Sequence, residues 1–97
     1  EDLLRFDQAL RSGKLVTPAT LKLITSPKPE LNSPGYGYGF SVDTERGTTG
    51  HSGGFPGISS NLDIYMDSGW TAIVMSNYSR GSSPISRKIE QLIQAAK

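Results

Sequence analysis

The sequence predicts an α+β fold: an antiparallel four-stranded meander sheet with N- and C-terminal helices packed on one face. Three observations predict it. Apolar residues recur at helical spacing at both ends of the chain. Through the middle they alternate at strand spacing, and short Gly- and Pro-bearing segments suited to hairpin turns separate the alternating runs. The 97 residues are read as a single domain, 1–97. It comprises a helical part at 1–25, a linker loop at 26–35, a sheet at 36–79 and a closing helix at 83–97.

The elements follow in order. Leu3, Phe6 and Leu10 share one face of a first helix, which Ser12-Gly13 is suited to stop. Thr17-Pro18 pairs an N-cap with a proline at the first helical position, and predicts a short second helix to about Ile24 that buries Leu21 and Ile24. Three prolines, two serines and an asparagine between Thr25 and Gly35 mark a loop. Tyr36, Tyr38 and Phe40 alternate with Gly37, Gly39 and Ser41, which predicts a strand with one nearly bare face against which something packs closely. Residues 43–47 read as a turn, Thr48 to Gly53 as a short strand and Gly53 to Gly57 as a loop. Ile58, Leu62, Ile64 and Met66 face one side of the next strand, and Ser59, Asn61, Asp63 and Tyr65 the other. Asp67-Ser68-Gly69 suits a three-residue hairpin. The last strand holds Ala72-Ile73-Val74-Met75 and is apolar on both faces. Ser83 as cap, Pro84 in the first turn and a stripe of Ile85, Ile89, Leu92, Ile93 and Ala96 predict the final helix.

Composition narrows the function classes. Ten Lys plus Arg against nine Asp plus Glu leave a net charge of +1, without the basic excess that nucleic acid or an anionic membrane recruits. There is no cysteine, hence neither a disulfide nor a thiolate metal site, and one histidine cannot build a multi-histidine centre. No cofactor is expected. No apolar run approaches the roughly 20 residues of a membrane helix. The chain opens on Glu1 and reads as a piece of a longer polypeptide. One mismatch supports that reading: the Ala72–Met75 strand asks for cover on both faces, and two terminal helices on one face leave the other bare. A partner or a missing segment is expected there, and self-association of the isolated chain with it.

The residue with the most unusual setting is His51. Solitary histidines in small domains usually serve structure, and the glycines around this one suit a tight turn. Yet Gly50 and Ser52-Gly53-Gly54 flank it at a strand end, where bare backbone admits a ligand and the amides of Gly53 and Gly54 can face a developing oxyanion. His51 and Ser52 are neighbours in a strand and point to opposite faces, so they cannot pair as base and nucleophile. Asp63 and Asp67 are the carboxylates available to orient a histidine, or else a solvated strand face and a turn. Tyr36, Tyr38, Tyr65 and Trp70 read as packing aromatics.

Together these stretches resemble a family. Tyr36-Gly37-Tyr38-Gly39-Phe40, then Gly50-His51-Ser52-Gly53-Gly54-Phe55-Pro56-Gly57, Ser59-Ser60-Asn61-Leu62 and the hairpin into Ala72–Asn77 resemble the C-terminal part of serine β-lactamase-like proteins. That group holds class C β-lactamases, low-molecular-weight penicillin-binding proteins, and related esterases and D-aminopeptidases. Its signatures are Ser-x-x-Lys, a second element that is Tyr-x-Asn in the class C branch, and Lys-Thr-Gly. Many members carry His for that Lys. The resemblance implies that His51, Ser52 and Gly53 stand at the third signature and that the Gly54 amide is half of an oxyanion hole.

The chain departs from the family at two signatures. Ser-x-x-Lys and Tyr-x-Asn are both absent; Thr25-Ser26-Pro27-Lys28 is a look-alike in a proline-rich loop, and Ser59-Ser60-Asn61 follows the third signature instead of preceding it. The resemblance therefore implies a C-terminal portion of a serine hydrolase acting on a β-lactam, D-amino peptide or ester, with its nucleophile upstream. It also implies export to the bacterial envelope in many relatives. The alternative is an autonomous, non-catalytic binding or interaction module.

Overall fold

The computed structural model describes residues 1–97. Helices α1 (Asp2–Arg11) and α2 (Pro18–Ile24) precede a single 3-10 turn at Pro29–Leu31. Strands β1 (Ser41–Asp43), β2 (Thr48–Phe55), β3 (Ile58–Tyr65) and β4 (Thr71–Ser76) follow, and helix α3 (Ser82–Ala95) closes the chain. The four strands form one antiparallel sheet in the order β1-β2-β3-β4, the meander that the alternating segments predict.

Local chemistry explains most boundaries. Thr17 Oγ1 accepts the Thr20 N–H at 3.2 Å and Pro18 occupies the first turn, so α2 starts where its cap and ring dictate. Leu21 and Ile24 are half-buried, less than expected of this helix. The Asp67–Gly69 turn closes with the Tyr65 N–H on the Trp70 carbonyl and the Gly69 N–H on the Tyr65 carbonyl, both at 2.9 Å. Between β2 and β3 the loop shrinks to Pro56-Gly57, with Gly57 at φ +87°. The expected loop from Gly53 therefore gives way to strand: Gly53 and Gly54 pair with Ser60 and Ser59.

Residues 36–40 are not the expected strand. The Gly37 N–H donates to the Phe40 carbonyl at 2.8 Å and the Tyr38 N–H to the Ile24 carbonyl at 2.9 Å, so the segment folds onto the end of α2. Only Tyr36 bridges to the sheet, opposite Ser41. The close packing read from the glycines is real at Gly37, where a Cβ would run into the Ile24 carbonyl. Lys28 is 4% exposed; its ammonium donates to the Leu23 carbonyl and lies 4.7 Å from the centroid of the Tyr38 ring. Ser26 Oγ donates to the Lys22 carbonyl. The Thr25-Ser26-Pro27-Lys28 look-alike thus closes the end of α2.

The register sorts side chains between two faces. Thr49, His51, Gly53 and Phe55 share one face with Leu62, Ile64, Thr71 and Ile73. Gly50, Ser52 and Gly54 share the other with Asn61, Asp63, Ala72 and Val74. On this second face Tyr65, Ala72 and Ile93 form a buried cluster with Ile89 packed against it, which seats α3. α1 reaches β4 through Thr71, one residue before Ala72. Successive strand residues point to opposite sides, so α3 covers one face and α1 touches the other; the expectation of both terminal helices on one face holds for α3 alone.

The α1 contact is polar. Asp7 is fully buried and accepts hydrogen bonds from Thr71 Oγ1 and from Arg11 Nη2, the latter at 2.6 Å. At α3 the cap differs from expectation. The helix starts at Ser82, and the Ser82 N–H donates to Ser59 Oγ of β3 at 2.9 Å, so a tertiary neighbour does what Ser83 was expected to do.

Cover is incomplete, as the apolar character of β4 foretold. Met75 is 69% exposed and Phe55 73%, while Ile58, Trp70, Ile85 and Leu92 are also exposed. The accessible surface is 6591 Å², against about 5,400 Å² for a typical folded monomer of this mass.

Candidate functional site

β2 carries all the site residues read from the sequence. Its first half is held on both sides: Thr48, Thr49 and Gly50 pair with β1 and with β3. Beyond Gly50, β1 has ended, so His51, Ser52, Gly53, Gly54 and Phe55 pair with β3 alone and leave one backbone edge open. Gly50 fixes how close the strands lie. A Cβ there would run into the Leu62 carbonyl of β3. Gly54 has the opposite setting, with nothing within 4 Å of where its Cβ would be. The backbone at Gly54 is open to a ligand.

His51 is exposed on the α1 side of the sheet, and both its ring nitrogens are engaged. Nδ1 lies 2.6 Å from the Ser52 carbonyl oxygen, and Nε2 lies 2.9 Å from the Tyr36 hydroxyl. A carbonyl only accepts, so Nδ1 carries the hydrogen; Nε2 of the neutral ring then accepts from the Tyr36 O–H. The rings meet edge to face, 5.9 Å apart at 80°. Neither carboxylate considered as an orienting group reaches His51. Asp63 projects from the α3 face and accepts from Asn61 Nδ2, and Asp67 lies exposed in the β3–β4 turn. Burial raises the Asp63 pKa, with Glu90 adding to the effect and the Asn61 hydrogen bond opposing it.

Ser52 points to the other side. Together with Gly53 and Gly54 it borders an open cavity of about 420 Å³ between the sheet and the start of α3. Ser82, Ser83, Ser86, Arg80 and Arg87 line the opposite wall, and no carboxylate lines it. Arg80 holds φ +61°, a left-handed conformation uncommon for arginine. Ser86 Oγ is buried without a hydrogen-bond partner.

The structure thus brings His51 together with Tyr36, and Ser52 together with two arginines. It keeps His51 and Ser52 on opposite faces, as their adjacency in a strand requires. Tyr36, Arg80 and Arg87 escaped the sequence reading. Tyr36 reads as one of several alternating aromatics, and the arginines as ordinary surface charge.

No protein-family model matches the chain. No solved structure matches it either. Among curated proteins, the chain is similar to penicillin-binding protein 4* of Bacillus subtilis (strain 168), with 37% identity over 81 residues. The similarity covers 78% of this chain and 18% of that protein, so the chain spans less than a fifth of its relative's length. At the level of a penicillin-binding protein, this likeness agrees with the resemblance read from the residues.

Proposed function

We propose that these 97 residues are the C-terminal portion of a serine hydrolase of the penicillin-binding-protein and β-lactamase type, and form one wall of its acyl-transfer site. The observation that carries the reading is the open edge of β2 from His51 to Phe55, with unobstructed backbone at Gly54. The likeness to penicillin-binding protein 4* supports it. The attacking serine and its base belong to polypeptide outside this chain, because no Ser-x-x-Lys occurs here. In the whole protein that serine's oxygen bonds to the substrate carbonyl carbon, its proton passes to the base, and an amine or alcohol leaves. Water then attacks the acyl-enzyme, the acid departs and the serine regains a proton.

In that sequence of steps the Gly54 N–H stabilises the oxyanion, and the Gly53 backbone keeps the approach clear. His51 presents its face of the wall to the leaving group. Ser52, with Arg80 and Arg87 across the cavity, takes a substrate carboxylate.

A longer polypeptide that includes the preceding residues is expected to be labelled by a fluorescent penicillin or to hydrolyse p-nitrophenyl esters. The 97-residue chain is expected to do neither. Replacing Gly54 by proline removes the proposed oxyanion donor and is expected to cost about 10²–10³ in rate. Turnover by the 97-residue chain that His51→Ala abolishes would overturn the reading. A longer polypeptide that binds peptide without ever being acylated would favour the non-catalytic module.

A further inference from the structure

We propose that His51 addresses a substrate through Tyr36, whose hydroxyl accepts a hydrogen bond from the substrate when the imidazole is neutral and donates one when the imidazole is protonated. This rests on the reading of the β2 edge as a site wall and deepens it. The premise is that both imidazole nitrogens are already occupied. The Ser52 carbonyl, 2.6 Å from Nδ1, holds the ring's hydrogen there; the Tyr36 hydroxyl, 2.9 Å from Nε2, meets the remaining position. A ligand therefore finds no free ring nitrogen. It finds the phenol oxygen of Tyr36, a residue that is itself exposed.

What the phenol offers depends on where its proton goes. Opposite a neutral ring, the O–H points at Nε2 and the oxygen shows only lone pairs to a ligand. That wall suits a ligand N–H or O–H, such as an amine or alcohol leaving group. Adding a proton to Nε2 makes the ring a donor at both nitrogens, with the Nε2–H now donating to the Tyr36 oxygen. The phenol hydrogen is then released outward, beside a positive charge, and suits a carboxylate or oxyanion. One proton gained at the ring thus reverses the hydrogen-bond polarity of the wall. The charged and titratable groups sharing the small cavity beside His51 are Asp43 of β1, Arg46 of the following turn and Asp63 of β3, the last projecting from the opposite face. Arg46 is itself engaged by Asp43 at 3.4 Å and by Glu90 at 2.7 Å.

In the longer polypeptide the His51 ring nitrogens can be followed by ¹⁵N NMR, assigned by their loss in His51→Gln. At alkaline pH the protonated nitrogen is expected to be Nδ1. On acidification the Cζ resonance of Tyr36, identified by its loss in Tyr36→Phe, is expected to shift with the same midpoint as the imidazole. Acetate, used as the probe anion, is expected to bind at least about tenfold more tightly on the acid side, the size of one charge-assisted hydrogen bond. Tyr36→Phe keeps the edge-to-face ring contact but frees Nε2, so acetate added on the acid side is expected to shift the Nε2 resonance more in Tyr36→Phe than in the wild type, where the hydroxyl stands between them. A dominant Nε2–H form at alkaline pH, a Tyr36 Cζ signal that stays flat through the imidazole titration, or an acetate shift at Nε2 as large in the wild type as in Tyr36→Phe would each overturn the inference. None of these readings depends on acylation, so penicillin labelling of the longer polypeptide tests the hydrolase reading separately.

Discussion

Replacing Asp7 by alanine tests how α1 is held to the sheet. The Asp7 side chain is 0% exposed and accepts from Arg11, whose own side chain is 24% exposed, and from Thr71 of β4. A hydrogen bond to a charged partner contributes about 1.5–3 kcal/mol. Breaking a fully buried ion pair from one side costs about 3–5 kcal/mol, because the other charge is stranded. Arg11 is not stranded, since it reaches solvent, and that places the loss at the lower end. A second term has the opposite sign. Asp7 Oδ1 is buried without a partner, and its removal relieves a penalty of about 1–3 kcal/mol. The net expectation is a loss of about 0–2 kcal/mol, read as a lower midpoint in urea with an unchanged m-value. In a double-mutant cycle, Asp7→Ala and Thr71→Val should couple by about 1 kcal/mol. Effects additive to within about 0.3–0.5 kcal/mol in the cycle would refute the claim that this tie joins α1 to β4.

Three further outcomes follow from other parts of the molecule. Gly50→Ala drives a Cβ into the Leu62 carbonyl and should cost about 1–3 kcal/mol in a denaturant titration, with the largest amide shifts in β2 and β3. Asp63 has a folded pKa above its ordinary 3.8, chiefly from burial, so its contribution is fully present below 3.8 and is lost as pH rises through the raised folded value. Asp63→Asn should therefore gain stability relative to wild type across that window in unfolding titrations at several pH values, with the gain vanishing at the acid end. The exposed apolar side chains Phe55, Ile58, Trp70, Met75 and Leu92 should make the isolated chain dimerise or unfold at low temperature; a purely monomeric sedimentation profile with a sharp thermal transition would contradict this.

What could be read from the sequence was whatever local chemistry decides. Thr17-Pro18 specifies where α2 begins, because both the cap hydroxyl and the proline ring act within one turn. Asp67-Ser68-Gly69 specifies its hairpin for the same reason. The incomplete cover of β4 was legible too, since Ala72–Met75 is apolar on both sides whatever lies around it. The errors come from long-range partners. Glycine alternation at Gly37 and Gly39 imitates a strand, but the carbonyl of Ile24 captures that backbone. Nothing in the first helix singles out Asp7, because its burial comes from Thr71, far along the chain. The hydroxyl that satisfies the start of α3 belongs to Ser59, on a strand. At the candidate site, His51 and its glycines stood out because they are contiguous, whereas Tyr36 reaches the imidazole from a separate loop and gave no local sign of it.

The strip from His51 to Phe55 is tied to the sheet along one edge alone. Its imidazole is held by the Tyr36 phenol, and the neighbouring Ser52 also borders the cavity that Arg80 and Arg87 line. Substituting the Arg80 or Arg87 side chain can therefore change the charge of that cavity without touching the two hydrogen bonds that hold the imidazole.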